Sequence, residues 1–139
     1  MKAGKLTAAQ LERIQKALDS LPFAKLIGIE LDQIDAGVAT LGLMVRNDLM
    51  QNNGVVHGGA IASLIDTATA FAIVSVLPSG ERATTVDLTV SYLRPLTTGR
   101  ARATARLVRV GRRLITVSAE VLDGGGKLVA TALTTYIKI

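Results

Sequence analysis

The spacing of apolar residues predicts one long buried helix and one shorter amphipathic helix. From about Ala60 to Leu77 the chain is apolar on nearly every side, which is typical of an enclosed helix, and the run stops near Pro78. A helix over about Ala8–Ser20 is predicted to begin after the N-cap Thr7 and to end at Pro22. Its apolar face would comprise Leu11, Ile14, Leu18 and Leu21.

Alternating apolar and polar residues predict six strands. Their predicted bounds are Glu30–Asp35, Val38–Arg46, Ala83–Leu93, Ala101–Val110, Leu114–Leu122 and Leu128–Ile137. In the third strand, one face would carry Val86, Leu88, Val90 and Tyr92, and the other Thr85, Asp87, Thr89 and Ser91. The alternation reverses at Leu107-Val108, which predicts a β-bulge. The segments Phe23–Ile29 and Asp48–Val56 are predicted to be a connector and an irregular loop.

These elements predict an α+β fold. Consecutive strands joined by short turns, such as Ala36-Gly37 and Gly111-Arg112, indicate an antiparallel sheet. A long helix without a polar face has to be covered, so we expect a curved sheet wrapped around this central helix, together with an N-terminal helix. A length of 139 residues suits one domain with its own core, so residues 1–139 are predicted to form a single domain.

The candidate chemistry lies at the start of the long helix and two turns inside it. The residues His57-Gly58-Gly59 precede the apolar run, and glycine allows a sharp turn and close approach of the backbone to a ligand. The unpaired N–H groups and partial positive charge of a helix start suit a developing oxyanion. Asp66 is the only charged residue between His57 and Glu81, where a carboxylate is costly to bury, which indicates a function.

The distance between Gly58 and Asp66 suggests a composite site. Eight residues of helix span roughly 12 Å at about 1.5 Å per residue, too far for both groups to act on one carbonyl. Two such helices lying antiparallel would place Asp66 of one subunit near Gly58 of the other. If both residues serve one reaction, the protein is expected to be a two-fold dimer with two shared sites.

The composition excludes several kinds of site. The chain has no Cys and one His, which excludes disulfides and a Cys nucleophile, and neither a metal site nor a cofactor is predicted. Hydrophobic residues make up 49% and charged residues 19%, as in a globular protein. The stretch after Lys5 is amphipathic rather than a signal segment, and Asp66 interrupts the long apolar run. We therefore expect a cytoplasmic protein that does not enter a membrane.

The net charge of +5 is concentrated in one region. Between Leu88 and Ala119 there are seven arginines and no acidic residue. A solvated sheet face and a site for a phosphate-bearing ligand are both compatible with this pattern. Aromatic residues are only 3%, which leaves few stacking platforms, so a nucleic-acid partner is not expected. The candidates for phosphate contacts are Arg94, at a strand end, and the turn residues Arg112 and Arg113.

Two segments carry a resemblance to a known family. Gln51 to Asp66 reads Q-x-x-G-x-x-H-G-G-x-x-x-x-L-I-D, and Thr85 to Pro95 reads T-V-D-L-x-V-S-Y-L-R-P. With these motifs the chain resembles hotdog-fold acyl-CoA thioesterases, in the phenylacetate-degradation (PaaI-like) group, over nearly its whole length. The resemblance implies hydrolysis of an acyl-CoA without a cofactor, in homodimers that often pair into homotetramers.

The resemblance also implies a role for each matching position. Asp66 would attack the thioester or activate water, and the Gly58 N–H would polarise the thioester carbonyl. Gln51 would lie near the leaving thiol or the attacking group, His57 would support the same region, and Thr85 would hold the water. From the residues alone, Asp66 also has a purely structural reading, and His57 could simply cap the helix.

Two other functions remain open at this stage. One is a hotdog-type hydratase or dehydratase of acyl thioesters, although an Asp nine residues after the motif His argues against it. The other is a non-catalytic domain that binds or senses acyl-CoA and would tolerate loss of Asp66. The acyl group, aryl or medium-chain, is not determined by the sequence. Small residues of the long helix leave room for it: Ala62, Ala68, Ala70 and Ala72.

Overall fold

A six-stranded antiparallel sheet curves around one long helix in the structure, a computed structural model that describes residues 4–139. The helices are α1 (Ala8–Asp19), α2 (Pro22–Ile27) and α3 (Gly58–Val74). The strands are β1 (Ile29–Asp35), β2 (Val38–Met44), β3 (Ala83–Tyr92), β4 (Arg100–Val110), β5 (Leu114–Leu122) and β6 (Leu128–Lys138). Their order in the sheet is β1-β2-β4-β5-β6-β3, so β1 and β3 form the two edges.

The core lies between α3 and the concave face of the sheet. Leu64, Ile65 and Ala68 of α3 are fully buried there. The alternation of β4 supplies the opposing surface, with Ala101, Ala103 and Ala105 also fully buried. Small residues on the strands let the sheet approach the helix closely, and leucine, isoleucine and valine fill the remaining space. The predicted α+β architecture, a curved sheet around one central helix, is confirmed.

The predicted helix α1 and the predicted hairpin of the N-terminal half are both present. Thr7 caps α1 by accepting from the Gln10 N–H at 3.2 Å, while the Gln10 side chain accepts from the Thr7 N–H at 2.8 Å. On α1, Ile14 and Leu18 are buried as predicted, but Leu11 is exposed, and so is Leu21, which lies beyond α1 as the N-cap of α2. The pairing of Asp35 with Val38 confirms the hairpin between β1 and β2.

Two local predictions were wrong or shifted. Phe23–Ile29 is not merely a connector, because Pro22 begins α2 as its first residue, where a missing N–H costs nothing. Gly28 ends α2 in the left-handed conformation, with φ of 90°. The long helix occupies Gly58–Val74 rather than Ala60–Leu77, since the glycines are its first turn. The predicted bulge is confirmed, because Val108 has no partner between the pairs of Leu107 and Arg109.

No helix in the described part of the chain has both the length and the hydropathy to cross a membrane.

Candidate active site

The start of α3 is organised by the His57 side chain. His57 is the N-cap residue, and its Nδ1 atom accepts a hydrogen bond from the Gly59 N–H at 2.8 Å. The His57 backbone N–H donates to the Leu49 carbonyl at 2.8 Å and so fixes the preceding loop to the helix. The imidazole lines a groove together with Phe23, Asp48 and Ser63. His57 therefore shapes the helix start, and it does not line the cleft that Gly58 lines.

Gly58 presents a free backbone donor to a cleft on the other side of the helix start. Within residues 4–139, no hydrogen-bond acceptor is paired with the Gly58 N–H. The Tyr92 hydroxyl donates to the Gly58 carbonyl at 2.9 Å, and a side chain on Gly58 would come within 3.1 Å of the Tyr92 ring. Gln51 and Arg94 line the same cleft, which has a volume of about 400 Å³. The absence of a side chain at Gly58 thus keeps the donor accessible beside the Tyr92 ring.

Asp66 lies two turns further along α3, roughly 12 Å from Gly58 along the axis. Its carboxylate atom Oδ1 accepts from the Thr85 hydroxyl at 2.9 Å and lies 3.3 Å from the Tyr136 hydroxyl. No described residue donates to Oδ2. The structure therefore places Thr85, which the resemblance implied would hold the water, against the Asp66 carboxylate, and it adds Tyr136.

Tyr136 joins the Asp66 side chain to the helix backbone. Its hydroxyl also lies 2.9 Å from the Asp66 carbonyl and 2.9 Å from the hydroxyl of the fully buried Thr69. Thr69 in turn donates to the Asp66 carbonyl at 2.9 Å. Burial, reinforced by the Asp66 charge, raises the pKa of Tyr136 to about 12 although the Thr69 hydrogen bond opposes it. Tyr136 consequently remains a neutral hydrogen-bond donor beside the carboxylate at ordinary pH.

A β-bulge explains how Thr85 reaches Asp66. Thr85 pairs with Tyr136 and Asp87 pairs with Thr135, so Val86 is an extra residue in β3. The predicted alternation of this strand was wrong at that point. Val86 does not share a face with Leu88 but is 56% exposed, and Thr85 faces α3 instead of the opposite side. Because the bulge reverses the side-chain direction, Thr85 and Tyr136 converge on the same carboxylate.

The candidate arginines lie at opposite ends of the molecule. The Arg94 N–H donates to the Val129 carbonyl, whereas the Arg113 carbonyl accepts from Lys138. Val129 and Lys138 are near the two ends of β6, roughly 30 Å apart at about 3.3 Å per residue. Arg94 therefore shares a cleft with Gly58, and the exposed pair Arg112 and Arg113 is remote from that cleft in the same chain.

Part of the arginine-rich region is neutralised by the edge strand β1. Arg100 pairs with Glu30 at 2.8 Å and with Asp32, and Arg102 pairs with Asp32 at 3.2 Å. The hydrogen bonds to Asp32 and Glu30 raise the pKa of Arg100. These arginines serve as links between strands, so they are less available for a phosphate than the sequence alone indicated.

Tyr136, Thr69 and Tyr92 are the site residues that the sequence analysis did not assign. The available signal was the period of two in the last strand, which places Tyr136 on the buried face, where a phenol needs a partner. Which partner it finds depends on contacts between residues about seventy positions apart in the chain. No local pattern contains that information.

The fold and the site together define a class of protein. A family model described as the thioesterase superfamily matches residues 53–130, which include both ends of the candidate site, and the chain belongs to this family. The predicted resemblance to hotdog thioesterases is thereby confirmed.

Individual relatives agree with this assignment. The chain is 30% identical over 132 residues to YigI, a medium/long-chain acyl-CoA thioesterase of Salmonella typhimurium, covering 84% of this chain and 85% of YigI. The structure of the Escherichia coli PaaI protein from the phenylacetic acid degradation operon matches 97% of this chain and 96% of its own, with a TM-score of 0.88 and 26% identity. PA5202 of Pseudomonas aeruginosa matches 86% and 94%, with a TM-score of 0.82 and 32% identity.

Proposed function

We propose that this protein is an acyl-CoA thioesterase that hydrolyses an acyl-CoA to the free acid and coenzyme A. The observation that carries the proposal is the Asp66 carboxylate, which is held by Thr85 through one oxygen and has no donor on the other. Placing a carboxylate in the apolar middle of a helix costs free energy. The Asp66 carboxylate is oriented by the Thr85 hydroxyl and is not paired with a cation among the described residues. The acyl-CoA thioesterase YigI among the relatives supports the same substrate class.

The two oxygens of Asp66 have different tasks in this proposal. Oδ1 is the anchored atom, since Thr85 donates to it at 2.9 Å and Tyr136 lies at 3.3 Å. Oδ2 is the reacting atom, which either attacks the thioester carbon or removes a proton from the attacking water. Anchoring one oxygen fixes the direction of the other before the substrate arrives, so little reorganisation is needed during the reaction.

The Gly58 N–H is the proposed oxyanion donor. It stands at the positive end of α3, has no partner among residues 4–139, and faces a cleft that a thioester can enter. Gln51, in the same cleft, would contact the leaving thiol or the attacking group. His57 supports this donor indirectly, because its cap on the Gly59 N–H fixes the first turn.

The distance along α3 leads to a dimeric site. Gly58 and Asp66 cannot act on one carbonyl from the same helix, so the reacting pair would comprise Gly58 of one subunit and Asp66 of its partner. Strand β3 is an edge of the sheet, and the apolar side chains of Val86 in this strand and of Leu93 directly after it are each 56% exposed. An apolar edge of this kind favours pairing with another chain. We therefore propose a homodimer in which this edge lies at the interface.

Arg94 is the proposed phosphate contact nearest the oxyanion donor, because it lines the Gly58 cleft. Arg112 and Arg113 lie far from that cleft within one chain. They would reach the same coenzyme only from the partner subunit.

The test is release of free thiol from a panel of aryl- and alkyl-acyl-CoAs by the wild type and by Asp66→Asn. Loss of a general base predicts a fall in kcat of about two to four orders of magnitude. Asp19→Asn is the matched control, since Asp19 is an exposed α1 residue that only accepts from Gln15. Undiminished hydrolysis by folded Asp66→Asn would remove the carboxylate from the mechanism. Tight binding of acyl-CoA without turnover by the wild type would indicate a binding domain instead.

A further inference from the structure

A second cavity begins one helical turn beyond Asp66. It has a volume of about 320 Å³ and is mainly apolar. On α3 and just after it, the lining residues are Ala70, Ile73, Val74 and Leu77. These positions follow Asp66 at intervals of four, seven, eight and eleven residues, so they continue the helical stripe on which Asp66 lies. The cavity thus lies next to the carboxylate site along the helix.

Tyr136 connects the cavity to the carboxylate. Its side chain forms part of the cavity wall, while its hydroxyl lies 3.3 Å from Oδ1 of Asp66. Ala70, one turn after Asp66, also lines the cavity and presents only a methyl side chain there. By contrast, Ala68 and Ala72 are fully buried in the core and leave no room for a ligand, contrary to the expectation from sequence.

The far end of the cavity has a different character. The turn from Pro78 to Glu81 follows the helical stripe and lines this end. Arg13 of α1 and Arg82 also contribute to the lining. An apolar chain entering from Asp66 therefore meets hydrophobic side chains first and polar or charged groups last, which sets a limit to the length that can be buried favourably.

We propose that this cavity binds the acyl chain of the substrate and selects an apolar chain of medium length. The inference rests on the proposed thioesterase activity, because it assumes that the carbonyl to be attacked lies at Asp66. A chain attached to that carbonyl runs along the stripe, passes Ala70, and ends near Leu77.

Two opposite substitutions test the inference. The wild type, Ala70→Leu and Leu77→Ala are assayed with butanoyl-, octanoyl- and hexadecanoyl-CoA, and the ratios of kcat/KM are compared. Added bulk at Ala70 should lower the octanoyl-to-butanoyl ratio by roughly 10–200-fold, the range for small volume changes in an apolar pocket. Space created at Leu77 should raise the hexadecanoyl-to-octanoyl ratio by about tenfold. The controls Ala9→Leu and Leu26→Ala make the same chemical changes at exposed positions.

The outcomes separate this inference from the proposed function. Hydrolysis with chain-length ratios that neither variant alters would overturn the acyl cavity and leave the thioesterase intact. Hydrolysis of none of the substrates by the wild type would overturn the thioesterase. In that case, binding of the non-hydrolysable thioether octyl-CoA decides on the cavity: weaker binding by Ala70→Leu than by Ala9→Leu supports it, and equal binding overturns it.

Discussion

The two ends of the candidate site are built in different ways. At Gly58 the proposed reactive group is a backbone N–H that belongs to the first turn of α3, and His57 caps the same turn. At Asp66 the proposed reactive group is a side chain, and its partners Thr85 and Tyr136 come from two strands of the sheet. Local sequence thus determines the first end, whereas the second exists only when the sheet has closed around α3.

This difference determines how each end responds to change. The donor at Gly58 is lost only if the N–H itself is removed or covered, because it is part of the helix backbone. The carboxylate at Asp66 loses its orientation whenever β3 or β6 shifts, even though the residue itself is unchanged. Substitutions can test separately the backbone donor at Gly58 and the strand residues that orient Asp66.

Gly58→Pro gives the largest expected effect in this comparison. Proline removes the N–H and is tolerated at the first position of a helix, and the ψ of 133° at His57 suits a residue before proline. We expect kcat to fall by about 10²–10³-fold, as for loss of one oxyanion donor. Free-thiol release under saturating acyl-CoA measures this loss.

Gly58→Ala is the matched control for this experiment. It adds the same Cβ, which would meet the Tyr92 ring at 3.1 Å, but it keeps the N–H. Alanine should therefore retain far more activity than proline. Equal losses in both variants would mean that crowding against Tyr92, and not the donor, explains the effect.

Tyr136 gives an intermediate effect, on stability rather than on rate. The pKa of Tyr136 is raised to about 12 in the folded protein, against about 10 in the unfolded chain, chiefly by burial. Between these two values the unfolded state loses its proton first, so folding stability falls as the pH rises. The free energy of unfolding is unaffected by Tyr136 ionisation below about pH 10. It falls by about 2–3 kcal/mol by about pH 12.

Urea unfolding of the wild type and Tyr136→Phe across this pH range measures the difference. Phenylalanine does not titrate, so the variant should lack this part of the alkaline loss. If the free energy of unfolding fell equally with pH in the two proteins, the Tyr136 phenol would have the same pKa in the folded and unfolded states.

Thr85 gives the smallest expected effect. Thr85→Val removes the donor to Oδ1 and keeps the β-branched shape, so kcat should fall about tenfold, as expected for a hydrogen bond to a charged group. KM should stay unchanged, because Thr85 touches the carboxylate and not the substrate. Thr85→Ser keeps the hydroxyl and should restore most of the rate. A matching loss in the serine variant would indicate a packing role for this side chain.

The same distinction explains how much could be predicted from sequence. The helix cap at Thr7, the hairpin at Ala36-Gly37 and the bulge at Val108 were all visible because each depends on a few adjacent residues. The α2 helix was missed because Pro22 stops one helix and starts the next, and its role as a stop was the stronger signal.

The candidate site residues also differ in whether their signal in the sequence is local or depends on long-range contacts. Gly58 and Asp66 were identified because glycine at a helix start and a lone acid in an apolar run are local signals. The bulge at Val86 was missed because the regular alternation from Thr85 to Tyr92 fits an undistorted strand, and the extra residue is revealed only by pairing with β6. Tyr136 was missed for a related reason, since its hydroxyl finds Asp66 only through the fold.

The position of Asp66 also bears on how the enzyme would be freed after each turnover. Thioester hydrolysis generates a second carboxylate at the place where the first one stands. Two such charges about 4 Å apart repel by about 4 kcal/mol at an effective dielectric constant of about 20. If the proposed site is correct, this repulsion would offset the hydrophobic attraction that holds the acyl tail, so the acid product would leave more readily than the thioester.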